Sequence, residues 1–501
     1  MSDITLKVDH NVTYIEGTLN QSVYAHLRKS LGYRSENAQW MIRSKPWMKN
    51  WDGIITTLCR GKRWCKCFVR KEGTHFPSGL LSVVKHIFGE YSISYDIIDI
   101  RSKSIEKKEY TIDEKEFEPR QYQIDVIDKA VAKQRGVVKA ATASGKTFVA
   151  AGIIAKLGKT PFIFYVTSKD LLKQAHDELE RFIRCQGFPV EVGMVGGGHK
   201  DIQDITVMTN QTAVRALDGK YKKYDEEENG KDNTDIDDIK TEIKHLIMSA
   251  KGLIFDECQH VASETAQIIA DASVSAQYRY GLSGTPYRDK GDDILIDACF
   301  GRCIADISAS FLIKQGYLVK PEIFFIPIKN MKGFKKSTYQ EIYKYAIVEN
   351  TLRNEHISKI AKTMRDNGRI VLILCKHIPH GNLLHKLIPD SIFLHGSISS
   401  KKRKEHLDRM RNREASITIS SVIFDEGIDV RPLDTLILAG SGKSSTRALQ
   451  RIGRTLRPYP GKKDALVVDF EDHCRYMLSH SKKRRKIYQT EPEFVIKDLD
   501  M

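Results

Sequence analysis

The chain has 501 residues, of which 41% are hydrophobic and 29% charged, and its basic residues exceed its acidic ones by 16. That balance excludes a mainly disordered chain and any collagen-like or coiled-coil class, and the length suits about three domains at roughly 150 residues each. The positive surplus points to an anionic partner, with nucleic acid ahead of an anionic membrane surface.

Residues 1–117 form the first region. The opening Met1-Ser2-Asp3-Ile4-Thr5 lacks a basic segment followed by an apolar one, so no secretory leader is expected. No apolar run approaches the ~18 residues of a membrane span. Short β-rich runs and all four tryptophans, Trp40, Trp47, Trp51 and Trp64, fall here, and the region ends in the charged stretch 103–118. The expectation is a small α+β domain that binds DNA through Arg60, Lys62, Arg63, Lys66, Arg70 and Lys71. The tryptophans fit either a base-stacking platform or a small aromatic core. Nine cysteines, an odd number scattered over the chain, suggest reduced thiols and a cytoplasmic location. Cys59, Cys65 and Cys67 with His75 are read as a hairpin or a metal site, although a single intervening residue suits zinc poorly.

From residue 118 onwards, unbroken apolar runs alternate with helical stretches. Unbroken runs suit strands buried on both faces of a parallel sheet, and helices such as 169–184 and 401–413 supply the crossovers. The pattern occurs twice, so two α/β lobes are expected, 118–318 and 319–478, followed by a basic tail, 479–501. The polar segment 221–242 reads as a mobile insertion. In the tail, Lys482-Lys483-Arg484-Arg485-Lys486 reads as a solvated helix end or a phosphate-contacting patch.

The chemistry centres on Ala140-Ala141-Thr142-Ala143-Ser144-Gly145-Lys146-Thr147, between a short strand and a helix. Such a loop aims backbone N–H groups and the helix dipole at phosphate oxygens. Thr142, Ala143, Ser144 and Gly145 would cradle a nucleotide, Lys146 would reach the β- and γ-phosphates, and Thr147 would join a magnesium shell. Ala140 and Ala143 stand where glycines are frequent. Asp256 and Glu257 follow a buried run, so Asp256 is expected to hold magnesium and Glu257 to polarise the attacking water. In the second lobe, Arg454 and Arg457, at helical spacing, are candidate arginine fingers.

In family order over about residues 118–470, these motifs resemble those of superfamily 2 helicases. Arg120-Gln121-Tyr122-Gln123 resembles the adenine-reading motif, which implies a base contact by Gln123. Val166-Thr167-Ser168, Gly196-Gly197-Gly198 and Thr209-Asn210-Gln211-Thr212 resemble strand-contacting motifs of the first lobe. They imply nucleic-acid contacts by Thr167, Gly196, Gly197, Gly198, Thr209 and Thr212. Ser283-Gly284-Thr285-Pro286 resembles the motif coupling hydrolysis to movement. His395-Gly396 and the stretch 420–429 resemble second-lobe motifs, which implies strand contacts by His395 and Ser420 and a nucleotide-side role for Asp429. Asp429 and His260 are read as coupling the two faces. Lys49-Asn50-Trp51-Asp52-Gly53 and Phe76-Pro77-Ser78-Gly79-Leu80 resemble the leading domain of phage UvsW-like helicases, a group similar to XPB-type translocases. The resemblance implies two RecA-like lobes, ATP and Mg2+ as cofactors, and a monomer acting on branched or partly single-stranded DNA. The alternatives are an RNA helicase on the same core, or a nucleic-acid-binding scaffold with weak ATPase.

Overall fold

A computed structural model describes residues 4–60, 73–102, 106–113, 117–217, 233–262, 264–287, 291–329, 338–421, 430–440, 442 and 445–499. The chain divides into two compact units, Met1–Ala140 with Gly145–Asp306, and Ile307–Met501 with the short loop Ala141–Ser144.

The first unit holds the leading region and the first lobe together. In the leading region a five-stranded sheet runs in the order Cys59–Arg60, Thr74–Pro77, Val12–Glu16, Thr5–Val8, Asp96–Asp99. One face is apolar because Leu6, Ile15 and Phe76 pack with Val23 and Leu27 of the helix Gln21–Ser30 and Val84, Ile87 and Phe88 of Leu81–Glu90. A two-stranded ribbon, Gly32–Arg34 against Ile54–Thr56, carries the intervening residues away from that core. Cys59 is disulfide-bonded, which departs from the expectation of reduced thiols throughout. Cys65, Cys67 and the basic residues 62–71 lie outside the described residues. Among the described residues no acidic, histidine or cysteine cluster suits a metal ion.

The first lobe is an eight-stranded sheet in the order His199–Lys200, Val192–Gly196, Ile205–Thr209, Phe162–Val166, Gly252–Asp256, Tyr278–Ser283, Arg135–Ala140, Cys303–Ile307. The pairings from Val192–Gly196 through Arg135–Ala140 are parallel. Phe162–Val166 and Ile205–Thr209 are buried at every residue, as unbroken apolar runs require when helices cover both faces. The expected insertion 221–242 is helical at its far end, within Asn233–Ser249. Ile239, Ile243, Leu246 and Ile247 recur at helical spacing and pack into the lobe's core.

The second lobe is a seven-stranded sheet in the order Ile392–Leu394, Ile417–Ser420, Val371–Leu374, Thr435–Leu438, Ala465–Asp472, Pro321–Ile328, Val495–Asp498, with every pairing parallel. Its last strand corrects the expected tail, because residues 479–501 include the end of the helix Met477–Tyr488 and this seventh strand. Arg484 of the basic cluster is buried and donates to both Asp469 carboxylate oxygens at 2.7 and 2.8 Å, while the Tyr488 hydroxyl donates to the same carboxylate at 3.0 Å. Arg485 pairs with Asp498. Arg484 thus holds the lobe together and is not available as a phosphate contact. Among the described residues no helix is long and apolar enough to cross a membrane.

Candidate nucleotide site and nucleic-acid interface

The phosphate loop leaves the strand Arg135–Ala140 and enters the helix Lys146–Leu157. Ala143 has φ +69° and Gly145 φ +80°, so both occupy the left-handed region. That explains why glycine is frequent at the first position: alanine there carries a steric penalty of about 1–2 kcal/mol. Gly145 is also crowded, because a Cβ on it would lie 2.5 Å from the Gln123 amide nitrogen. Gln123 is wholly buried, and its Oε1 accepts the Arg120 backbone N–H at 3.0 Å, capping the helix Gln121–Lys133. The structure thus sets Gln123 against the loop.

Lys146 begins its helix with the ammonium 3.3 Å from Glu257 Oε1, and both side chains are mostly buried. Glu257 follows the central strand Gly252–Asp256, with φ +50°. Burial pushes the Glu257 carboxyl up, but the Lys146 charge and the Gln259 amide outweigh it, and it lies below its ordinary range. The Asp256 carboxyl is pushed up to about 6 by burial and by the Glu257 charge, with Lys146 opposing. Two enclosed carboxylates beside one ammonium leave room for a further cation. Asp256, with the Thr147 hydroxyl beside Lys146, offers the hard oxygen donors that Mg2+ takes when substrate phosphates complete its shell. These residues therefore fit the metal.

A hydrogen-bonded chain runs on from the acidic pair. Gln259 Nε2 donates to Glu257 Oε2 at 2.8 Å, the Ser283 hydroxyl donates to Gln259 Oε1, and Ser283 Oγ accepts the Thr285 N–H at 3.0 Å. Gln259 and Ser283 are buried, whereas His260 is exposed. Gln259, to which the sequence reading gave no role, therefore links the acidic motif to Ser283-Gly284-Thr285. The signal available was chemical: a neutral amide can accept and donate at once.

At the far edge of the same sheet, Gly196, Gly197 and Gly198 all have positive φ (+124°, +63° and +96°). A Cβ on Gly196 would lie 2.7 Å from Thr209 Oγ1 and 3.0 Å from Thr212 Oγ1, so the glycine turn and the threonine pair form one surface. Thr209 Oγ1 accepts the Thr212 N–H at 3.3 Å and lies 2.8 Å from the Thr212 hydroxyl, so Thr209 also caps the helix Asn210–Ala216. The buried Thr167 hydroxyl has no hydrogen-bond partner among the described residues. Lys169, missed from sequence, flanks Gly197 with its aliphatic stem 3.6 Å from where a Cβ would stand, and adds an exposed cation to this edge.

In the second lobe His395 is half-buried and its ring lies 5.0 Å from that of Phe393. Ser420, expected to touch a strand, is wholly buried at the end of Ile417–Ser420, and its hydroxyl donates to the Ser421 carbonyl at 3.0 Å. Its side chain cannot make the expected contact. Arg454 lies on the helix Ser445–Thr455, but Arg457 lies beyond its end, so the two do not share a helix face. Pro458 follows directly and disfavours helical backbone at Arg457. Asp429 lies outside the described residues.

Comparison with known proteins decides the family. Residues 116–288 match the family described as type III restriction enzyme, res subunit, and residues 353–459 match the helicase conserved C-terminal domain. The chain is 23% identical to the ATP-dependent DNA helicase uvsW of Enterobacteria phage T4, with 98% of this chain and 99% of that protein aligned. This chain belongs to the superfamily 2 helicases of the UvsW and XPB type. The helicase is 27% identical to the putative DNA 3'-5' helicase Rad25 of Haloarcula marismortui over 75% of its length and 24% identical to the DNA 3'-5' translocase XPB2 of Sulfurisphaera tokodaii over 79%. It spans 57% of that Rad25 protein and 61% of its Halobacterium salinarum counterpart. Among solved structures, the fragment of a putative HsdR subunit of a type I restriction enzyme from Vibrio vulnificus superposes with a TM-score of 0.55 at 18% identity, covering 76% of this helicase and 68% of the fragment. S. cerevisiae Dbp5 bound to RNA and ADP BeF3 gives 0.52 at 12%, covering 76% and 90%. These likenesses confirm two RecA-like lobes.

Proposed function

We propose that this helicase is an ATP-driven DNA translocase that unwinds or branch-migrates forks, junctions and displaced-strand loops in replication, recombination or repair. The observation that carries the reading is the buried chain Lys146–Glu257–Gln259–Ser283, which joins phosphate chemistry to a motif of strand movement. DNA is the preferred substrate because the relatives named above carry DNA helicase or DNA translocase names.

In this reading the loop from Thr142 to Gly145 cradles the phosphates, Gln123 donates to the adenine, and Lys146 leaves Glu257 for the γ-phosphate. Released from that ion pair, Glu257 orients the attacking water, and its carboxylate is then a stronger base. Thr147 and Asp256 would hold Mg2+, which when bound neutralises charge developing on the phosphates. Arg454 and Arg457 supply further positive charge to the transition state, and Asp429 contributes to the nucleotide side. Thr167, Gly196–Gly198, Thr209, Thr212 and Lys169 hold a strand through its phosphates, and His395 does so in the second lobe. The enzyme acts as a monomer in the cytoplasm.

The test is unwinding of a fork, a four-way junction, a displaced-strand loop and a plain duplex, each with and without ATP, with ATPase stimulation by forked DNA and matched RNA alongside. Branched DNA should be opened in preference to the plain duplex, and Lys146→Ala should abolish the activity. Stronger activation by RNA than by DNA would overturn the substrate assignment.

A further inference from the structure

The ribbon Gly32–Arg34 with Ile54–Thr56 ends in a cap, residues 35–53, built from the helix Ala38–Ser44 and the short 3-10 turn Pro46–Met48. Only Ala38 and Gly53 of that cap are buried. Trp40 is 65% exposed and Trp47 78% exposed, the two most exposed tryptophans possible to compare with Trp51, which is half-buried with its indole N–H donating to the Ile54 carbonyl at 3.1 Å. Trp51 pins the cap to its ribbon, and the other two rings do no packing work that would explain them. A tryptophan ring carries one of the largest apolar surfaces of any side chain, so leaving two in solvent within eight positions opposes folding and solubility unless something covers them.

The surroundings specify what covers them. Arg34, at the end of the ribbon, and Arg43 and Lys49, within the cap, are exposed, and the Lys45 ammonium stands 6.0 Å from the Trp47 ring centroid. Against these four cations the same stretch carries two exposed carboxylates, Glu36 and Asp52, and Asp52 is already paired with Arg28. Flat aromatic faces set among cations match an unpaired nucleic-acid strand, whose bases stack on the rings while its phosphates meet the ammonium and guanidinium groups. A paired duplex offers the phosphates but hides the base faces.

We propose that Trp40 and Trp47, with Arg34, Arg43, Lys45 and Lys49, form a binding surface for unpaired DNA bases, separate from the strand-contacting edge of the first lobe. This inference rests on the reading that the helicase acts on DNA. It gives the leading domain the task of holding the single-stranded arm of a branched substrate.

The experiment uses the full chain and reads dissociation constants by fluorescence anisotropy for a labelled single-stranded 20-mer, a fork with one single-stranded arm and a blunt duplex. Because both rings are exposed, Trp40→Ala/Trp47→Ala should melt with the wild type. It should bind the single strand and the fork about tenfold or more weakly, with blunt-duplex affinity changed less than twofold. Trp40→Phe/Trp47→Phe, which keeps aromatic faces, should recover most of the loss. Single-strand affinity within twofold of wild type in the alanine variant overturns the inference, and so does an equal loss on the blunt duplex. A phenylalanine variant as weak as the alanine one also overturns it, since the contact would then not be stacking. Lys146→Ala unwinding tests the motor independently: if that variant is inactive while the tryptophan variant binds normally, this inference fails and the helicase reading stands.

Discussion

Replacing Arg279 by methionine tests how the leading region is fastened to the first lobe. Arg279 lies on the strand Tyr278–Ser283 and is buried, yet its guanidinium donates to the Ala270 and Ala276 carbonyls at 2.9 Å each, to the Ser273 carbonyl, and to Asn11 Oδ1 of the leading region. Asn11 returns its amide to the Asp271 carbonyl at 2.6 Å. Methionine matches the stem but leaves four acceptors without their donor. Removing one member of such a buried charged network costs about 3–5 kcal/mol. At about 2–4 °C per kcal/mol for a unit of this size, the melting temperature should fall by about 10 °C.

The loss should also depend on pH, through Asp271. Its Oδ2 is enclosed without a hydrogen-bond partner among the described residues, and burial pushes its carboxyl up to about 7, with Arg279 pulling the other way. A carboxyl raised in the folded state binds its proton more tightly there than when unfolded. Its contribution is therefore most favourable below about pH 4, where both states are protonated, and declines as pH rises towards 7. Without Arg279 the carboxyl rises further, and the decline extends above 7. Scanning calorimetry from pH 5 to 8 should find the deficit of Arg279→Met smallest at pH 5, and Asp271→Asn in the same chain should remove the pH dependence. A melting temperature within 2 °C of wild type, or a deficit equal at pH 5 and 8, would refute the reasoning.

Three other substitutions have definite outcomes. A Cβ on Gly79 would lie 2.2 Å from the Asp297 carbonyl oxygen and 2.5 Å from that of Ala298, both backbone; Gly79→Ala should cost about 1–3 kcal/mol in a denaturant titration. Ala143→Gly removes the penalty of left-handed alanine and should retain full ATPase activity while raising stability by up to about 1 kcal/mol, the folded-state relief being partly offset by a freer unfolded chain. Gln259→Leu breaks the bridge between Glu257 and Ser283, so the number of base pairs opened per ATP hydrolysed should fall at least severalfold. An unchanged ratio would show that coupling runs by another route.

The parallel sheets were legible because strands such as Phe162–Val166 are apolar at every position, a pattern that only burial on both faces allows. Lys146, Asp256 and Glu257 were legible because strand-end loops of such a sheet gather at one edge. Arg484 was not, since its partner Asp469 sits on another element and charge spacing alone does not reveal pairing across a fold. Ser420 ends a strand whose covering depends on tertiary packing. Two misses did carry a local signal: Pro458 disfavours helix at Arg457, and Ile239, Ile243, Leu246 and Ile247 mark a helix that begins within the acidic segment and runs past it.

The strand Pro321–Ile328 sits between Ala465–Asp472 and Val495–Asp498, both of which come much later in the chain. At a ribosomal speed of roughly 5–20 residues per second, this strand waits about 10–30 s before both neighbours exist. During that interval Ile323-Phe324-Phe325-Ile326 offers unpaired backbone and aromatic surface to any other nascent chain. Pro321 and Pro327 bracket the run, and each lacks an N–H to donate to an intruding strand. The two prolines thus remove a donor at the start and near the end of an apolar, aromatic strand, the placement of gatekeeper residues that discourages pairing with another chain while the strand still lacks its own neighbours.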